Sequence, residues 1–154
     1  MFSKAETAKL KQEFWTTLGR LLQQHPSTEG HKINWINYKT DVKNVYFRMQ
    51  ADNKSANIAI EITHKDEEIR SLFFEQLEQL KTYLHSILGE EWIWENEYYN
   101  SYGIKSARVY ISIDHKNFLV KDNWQDLFAF FKPRMIKLDE FWSTAKETFV
   151  ALSK

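Results

Sequence analysis

The sequence predicts an α+β fold, a mostly antiparallel sheet of about five strands covered by helices in the order α-β-β-β-α-β-β-α-α. Three observations carry this expectation. Apolar residues recur at three- and four-residue spacing near both ends and in the middle of the chain; period-two runs fill the intervals; and the connections between successive runs are short enough to favour antiparallel neighbours.

Ser3 followed by Glu6 has the form of a capping box, and Leu10, Phe14, Leu18, Leu21 and Leu22 then share one helical face, so a first helix is expected from about Lys4 to Gln24. It ends at His25-Pro26, because the residue before proline is pushed out of helical angles. Strands are expected at Ile33–Tyr38, Val45–Gln50 and Asn57–Thr63, separated by the polar turns 40–44 and 52–55. In the third run Ile58, Ile60 and Ile62 take one face while Asn57, Ala59, Glu61 and Thr63 take the other. Asp66 caps a second helix whose stripe runs from Ile69 to Leu88, and Gly89 ends it.

Two further strands are expected at about Trp92–Tyr98 and Lys105–Ile113, with Asn100-Ser101-Tyr102-Gly103 as the turn. The last third reads as a short helix from Trp124 to Phe131, a break at Lys132-Pro133, and a longer helix with proline in its first turn. In that helix Met135, Leu138, Trp142, Ala145, Phe149 and Leu152 form a narrow seam that packs on the sheet or pairs two subunits, which leaves monomer and dimer both open.

With 154 residues the chain has the size of a single domain spanning 1–154. It contains no cysteine, which excludes disulfides, thiol nucleophiles and thiolate metal sites. The N-terminal residues lack the apolar run of a signal peptide, and no segment reaches membrane-spanning length, so a cytoplasmic protein without membrane contact is expected. Lysine plus arginine and aspartate plus glutamate number 21 each, so no overall charge steers the chain toward nucleic acid or an anionic surface. The four glycines form no phosphate cradle, Walker loop, dinucleotide fingerprint or nucleophile elbow. No cofactor is expected and no catalytic set is assigned.

Binding residues are sought instead where aromatic and charged groups crowd together, in "EEWIWENEYYNSYG". On a strand, Trp92 and Trp94 point one way, toward a packing surface, and Ile93, Glu95 and Glu97 mainly the other. Tyr98, Tyr99 and Tyr102 sit toward the turn, where their rings can pack and their hydroxyls reach water. Glu95 and Arg108 fall on strands expected to be adjacent and can pair across the sheet. The candidate binding set is therefore Trp94, Glu95, Tyr98, Tyr99, Tyr102 and Arg108. A candidate nucleic-acid contact is Lys132, Arg134 and Lys137 beside Phe130 and Phe131, where basic side chains would join a helix-start dipole.

Two segments echo one another, "ANIAIEITHKDEE" and "ARVYISIDHKNFL". Either the same strand-to-helix transition recurs, or His64, Asp66, Asp114 and His115 meet at neighbouring strand ends and could bind a divalent metal. No paired-histidine spacing supports a metal site, and none is assigned. A restriction-type nuclease would need an acidic residue and then Glu-x-Lys along one strand; the nearest candidates are Asp52 and Glu61, but Glu61-Ile62-Thr63 puts threonine where lysine should stand, and Lys65 falls past the strand end.

The runs "FWTTLGRLL", "INWIN", "LGEEWIWENE", "SARVYISID" and "FFKPRMIKLDEFW" together span most of the chain and resemble a bacterial family, domain of unknown function 4268. The resemblance implies an accessory module, placed in many members behind a nuclease-like region, without established catalytic residues. Trp94-Glu95 and Arg108 look like recurring positions of that family. Two functional expectations follow. The first is a non-enzymatic binding or accessory module with a protein partner; the second is a diverged metal-dependent nuclease-like or nucleic-acid-processing domain.

Overall fold

The computed structural model describes residues 2–154. The elements are α1 (Lys4–Gln23), β1 (Val45–Ala51), β2 (Ser55–Ile62), α2 (Glu67–Gln79), α3 (Lys81–Leu88), β3 (Ile93–Tyr99), β4 (Lys105–Asp114), a 3-10 turn (Lys121–Asn123) and α4 (Trp124–Leu152). The fold is α+β, with one antiparallel sheet in the order β1-β2-β4-β3. The expected order is corrected to α-β-β-α-α-β-β-α, with four strands in place of five.

Local signals set the helix starts. The Ser3 hydroxyl accepts the Glu6 N–H at 3.1 Å while the Glu6 carboxylate accepts the Ser3 N–H at 3.4 Å, closing the capping box of α1. Asp66 accepts the N–H groups of Glu68 and Ile69 at the start of α2. The buried Arg70 guanidinium reaches back to the His64 carbonyl at 2.9 Å, fastening that helix start to the end of β2. Gly89 closes α3 in the left-handed region at φ 71°, with its N–H on the His85 carbonyl.

Three expected elements differ. Residues 33–38 are not a strand, because side-chain anchors rather than a ladder hold them. The Asn34 carboxamide oxygen accepts the Asn37 N–H, bending the chain, and the buried Trp35 indole donates to the His25 carbonyl. The helix expected from Asp66 to Gly89 is two helices. Leu80 leaves helical geometry at φ −97°, ψ 8°, and its N–H turns to the Leu77 carbonyl, while Leu77 and Leu84 on either side of the break are both buried. The two C-terminal helices are one, with Pro133 inside α4. Proline cannot donate to the Ala129 carbonyl, but Ala129 is exposed and water can take its place; the Arg134 side chain meanwhile donates to the neighbouring Phe130 carbonyl at 2.9 Å.

The helices and the long connection before β1 cover one sheet face. There Val45, Phe47, Ile58, Ile60, Ile62, Ala107 and Val109 meet Phe73, Trp142 and Phe149 in one core. Most of the seam of α4 packs inside the chain: Met135, Leu138, Trp142, Ala145 and Phe149 are buried, and Leu152 is half-buried. At the other end of α4, Phe14 is fully buried with Trp15, Phe118, Trp124, Phe128 and Phe131 within 6.3 Å of its ring. Among the described residues no helix is long and apolar enough to cross a membrane.

Candidate functional site

Because β2 pairs with both β1 and β4, alternation carries Tyr46, Arg48, Asn57, Ala59, Glu61, Arg108 and Tyr110 to the sheet face opposite the core. β3 needs a correction to the same rule. Glu95 pairs with Arg108, yet Tyr98 pairs with Ser106, so three steps on β3 face two on β4. Strict alternation from Glu95 would send Tyr98 to the core side; this bulge returns it to the outer face.

The result is a ladder of charges and rings across the sheet. The Arg108 guanidinium lies between the Tyr98 and Tyr110 rings, at 3.6 and 3.7 Å from their centroids, and donates to Glu95 Oε1 at 3.2 and 2.9 Å. On the next strand Glu61, 3% exposed, meets Arg48 at 3.3 Å, and Arg48 in turn covers the Tyr46 ring at 4.3 Å. Burial and then Glu95 push the Tyr110 phenol up.

Burial is also the largest influence on Glu61. It holds this carboxyl above its ordinary range although Arg48 and Arg108 pull it down. A raised carboxyl binds its proton more readily in the folded chain than in the unfolded one. Its stabilising contribution is fully present below the unfolded value and is lost as pH rises through the folded one. Glu61→Gln is therefore expected to leave stability at neutral pH equal or higher and to flatten the gain on mild acidification, as read from urea midpoints. Lower stability at neutral pH would mean that the Arg48 pair outweighs the burial cost.

Of the expected binding set, Glu95, Tyr98 and Arg108 assemble on the outer face. Trp94 does not join them. It lies on the core side between Phe74 and His85, with ring centroids at 5.7 and 6.2 Å. Tyr99 and Tyr102 stand exposed at the turn, where the Asn100 carboxamide oxygen accepts the N–H groups of Tyr102 and Ile104.

The basic trio is not a helix-start site, since Lys132, Arg134 and Lys137 lie well inside α4. The macrodipole acts only at the first turn, so it adds nothing there. Arg134 instead holds Glu90 with two hydrogen bonds of 2.7 and 3.0 Å, and Lys137 donates to the Leu88 carbonyl. Burial opposes ionisation of Glu90, but hydrogen bonds from Arg134 and Trp92 outweigh it and hold the carboxyl below its ordinary range. These contacts fix the exit of α3 to α4.

The two echoing segments are β2 and β4 with their exits, and they run antiparallel. Ser55 pairs with Asp114 while Ile62 pairs with Ala107. At about 3.3 Å per residue, His64 and His115 therefore lie at opposite ends of the sheet, roughly 20 Å or more apart. Among the described residues no cluster of three or more metal-ligating side chains forms. Asp52 caps the β1–β2 turn by accepting the N–H groups of Lys54 and Ser55, also far along the strand from Glu61.

One arrangement escaped the sequence reading. Asp139 of α4 is buried, 6% exposed, and gathers the connection before β1. Its Oδ2 accepts the Thr28 N–H at 2.7 Å and hydroxyl at 3.0 Å, and its Oδ1 accepts the Tyr38 hydroxyl at 2.6 Å. Trp142 donates to the Thr40 carbonyl at 2.8 Å from the same helix. Between loop and helix lies a cleft of about 540 Å³. The signal was present: Asp139 stands four residues after Met135 and three before Trp142, an acid on an apolar stripe.

The fold and its site define a class: an α+β protein whose helices cover one face of a four-stranded antiparallel sheet and leave the other, bearing arginine and tyrosine, open. Within it the chain belongs to the family described as Domain of unknown function (DUF4268), whose model matches residues 10–146. Neither the curated proteins nor the solved structures give a significant match.

Proposed function

We propose that this protein is a non-enzymatic binding or accessory module of the cytoplasm that engages a protein partner through the open face of its sheet. The observation that supports this reading most is the Tyr98–Arg108–Tyr110 stack braced by Glu95. Rings and a guanidinium held in place on a helix-free face lose little side-chain entropy on binding, and such groups dominate protein interfaces. Ile93 and Tyr46, both exposed, widen the same face with apolar surface. The two arginines of the ladder are matched by Glu61 and Glu95, so the face lacks the positive excess that phosphate backbones require. That balance favours a protein over a nucleic acid.

The test compares the full chain with a Tyr98→Ala/Tyr110→Ala variant, first in capture from a cell extract and then with the purified partner. Loss of aromatic anchors costs ~2 kcal/mol or more where they are central, so affinity should fall at least tenfold while circular dichroism stays native. Undiminished affinity in a folded variant would remove this face as the site. A captured nucleic acid with steep salt dependence would overturn the protein reading.

A further inference from the structure

The connection from Gln24 to Asn44 contains neither helix nor strand, and ordered irregular segments beyond about 12–15 residues are usually functional. This one is pinned to α4 at Thr28 and Tyr38 through Asp139 and at Thr40 through Trp142. The cleft it walls, about 540 Å³, lies in the size range of small-molecule sites. Its floor is Tyr38, Asp139 and Trp142, Ile33 adds apolar surface, and Glu29 and Asp41 stand at the rim.

Charge in the cleft is uneven. Lys146 matches Asp41 at 2.9 Å, but the three donors to Asp139 are all neutral, and Glu29 has no hydrogen bond or ion pair among the described residues. Among the described residues Lys39 is the one lysine or arginine of the lining left against these two carboxylates, and His31 also lines the cleft. Burial first, then Asp139, Glu29 and Asp41, push the Tyr38 phenol far up, so the three acids act on one point at the floor.

We infer that this cleft is a site for a small organic cation with an apolar body, an aryl- or alkylammonium resting on Ile33 and the half-buried Tyr38 ring with its charge toward Glu29 at the rim. The site is independent of the outer sheet face and stands whether or not that face binds a protein.

Tyramine is the probe, with its neutral alcohol analogue tyrosol and the acid 4-hydroxyphenylacetate as controls, each titrated into the ¹⁵N-labelled full chain. Tyramine should shift amides of residues 27–41 and 139–146 at millimolar concentration, and the controls should bind at least tenfold more weakly. Glu29→Lys changes an exposed rim residue and leaves the Asp139 anchor intact; it should weaken tyramine about tenfold, reversing one charge a few ångströms from the ammonium. Equal shifts with tyrosol or the acid, shifts elsewhere, no shifts with tyramine, or unchanged affinity in Glu29→Lys would each overturn the inference.

Discussion

Asp139→Ala should lower stability by about 3–5 kcal/mol, the cost of breaking a buried charged network by removing one member. The carboxylate takes the Thr28 N–H and hydroxyl and the Tyr38 hydroxyl. Alanine would leave the Tyr38 hydroxyl in a half-buried site without its acceptor and release the loop from α4 at two points. Asparagine keeps one acceptor oxygen and should cost less, about 1–3 kcal/mol. Urea unfolding of the two variants reads the difference. Thermal midpoints should fall together with it, by about 2–4 °C for each kcal/mol in a chain of this size. Proteolysis at neutral pH should nick Asp139→Ala first within residues 27–39. A loss below about 1 kcal/mol would show that Trp35 and Thr40 hold the loop without the carboxylate.

Phe14→Ala should cost a comparable ~3–5 kcal/mol through a different cause, a cavity at the centre of an aromatic cluster. Phe14 is fully buried, and the rings around it come from α1, the β4–α4 connection and α4. Those surroundings cannot all move inward, because Trp124 is tied by its indole N–H to the Phe118 carbonyl. Phe14→Leu fills most of the space and should cost roughly 1–2 kcal/mol. If the alanine variant loses no more than the leucine variant, the cluster collapses freely and its packing is less constrained than the ring geometry implies. Calorimetry together with tryptophan fluorescence, to which Trp15 and Trp124 beside the new cavity contribute, distinguishes these outcomes.

Much of this protein was legible residue by residue. Ser3 with Glu6, Asp66 and Gly89 marked helix ends because capping is a contact between near neighbours. The alternating isoleucines of β2 marked a buried sheet face because pleat and period are local. Adjacent strands and opposite charge point to the Glu95–Arg108 pair that the sheet register makes. Ambiguous local patterns are decided by distant contacts instead. Ile33–Tyr38 has the composition of a strand but gives its side chains to His25, Asn37 and Asp139. Pro133 reads as a break, but the helix continues on both sides with packing that outweighs one lost hydrogen bond.

By itself the sequence determined the α+β class, the family, most helix ends, the inner and outer faces of β2, and the lack of familiar catalytic motifs. Tertiary structure alone decided the strand order that separates His64 from His115, the bulge that turns Tyr98 onto Arg108, and the reach of Asp139 to Thr28 and Tyr38. The division has a physical reason. Caps and periodicity come from atoms a few residues apart, whereas register and a buried acid's choice of donors depend on which distant surfaces meet as the core closes.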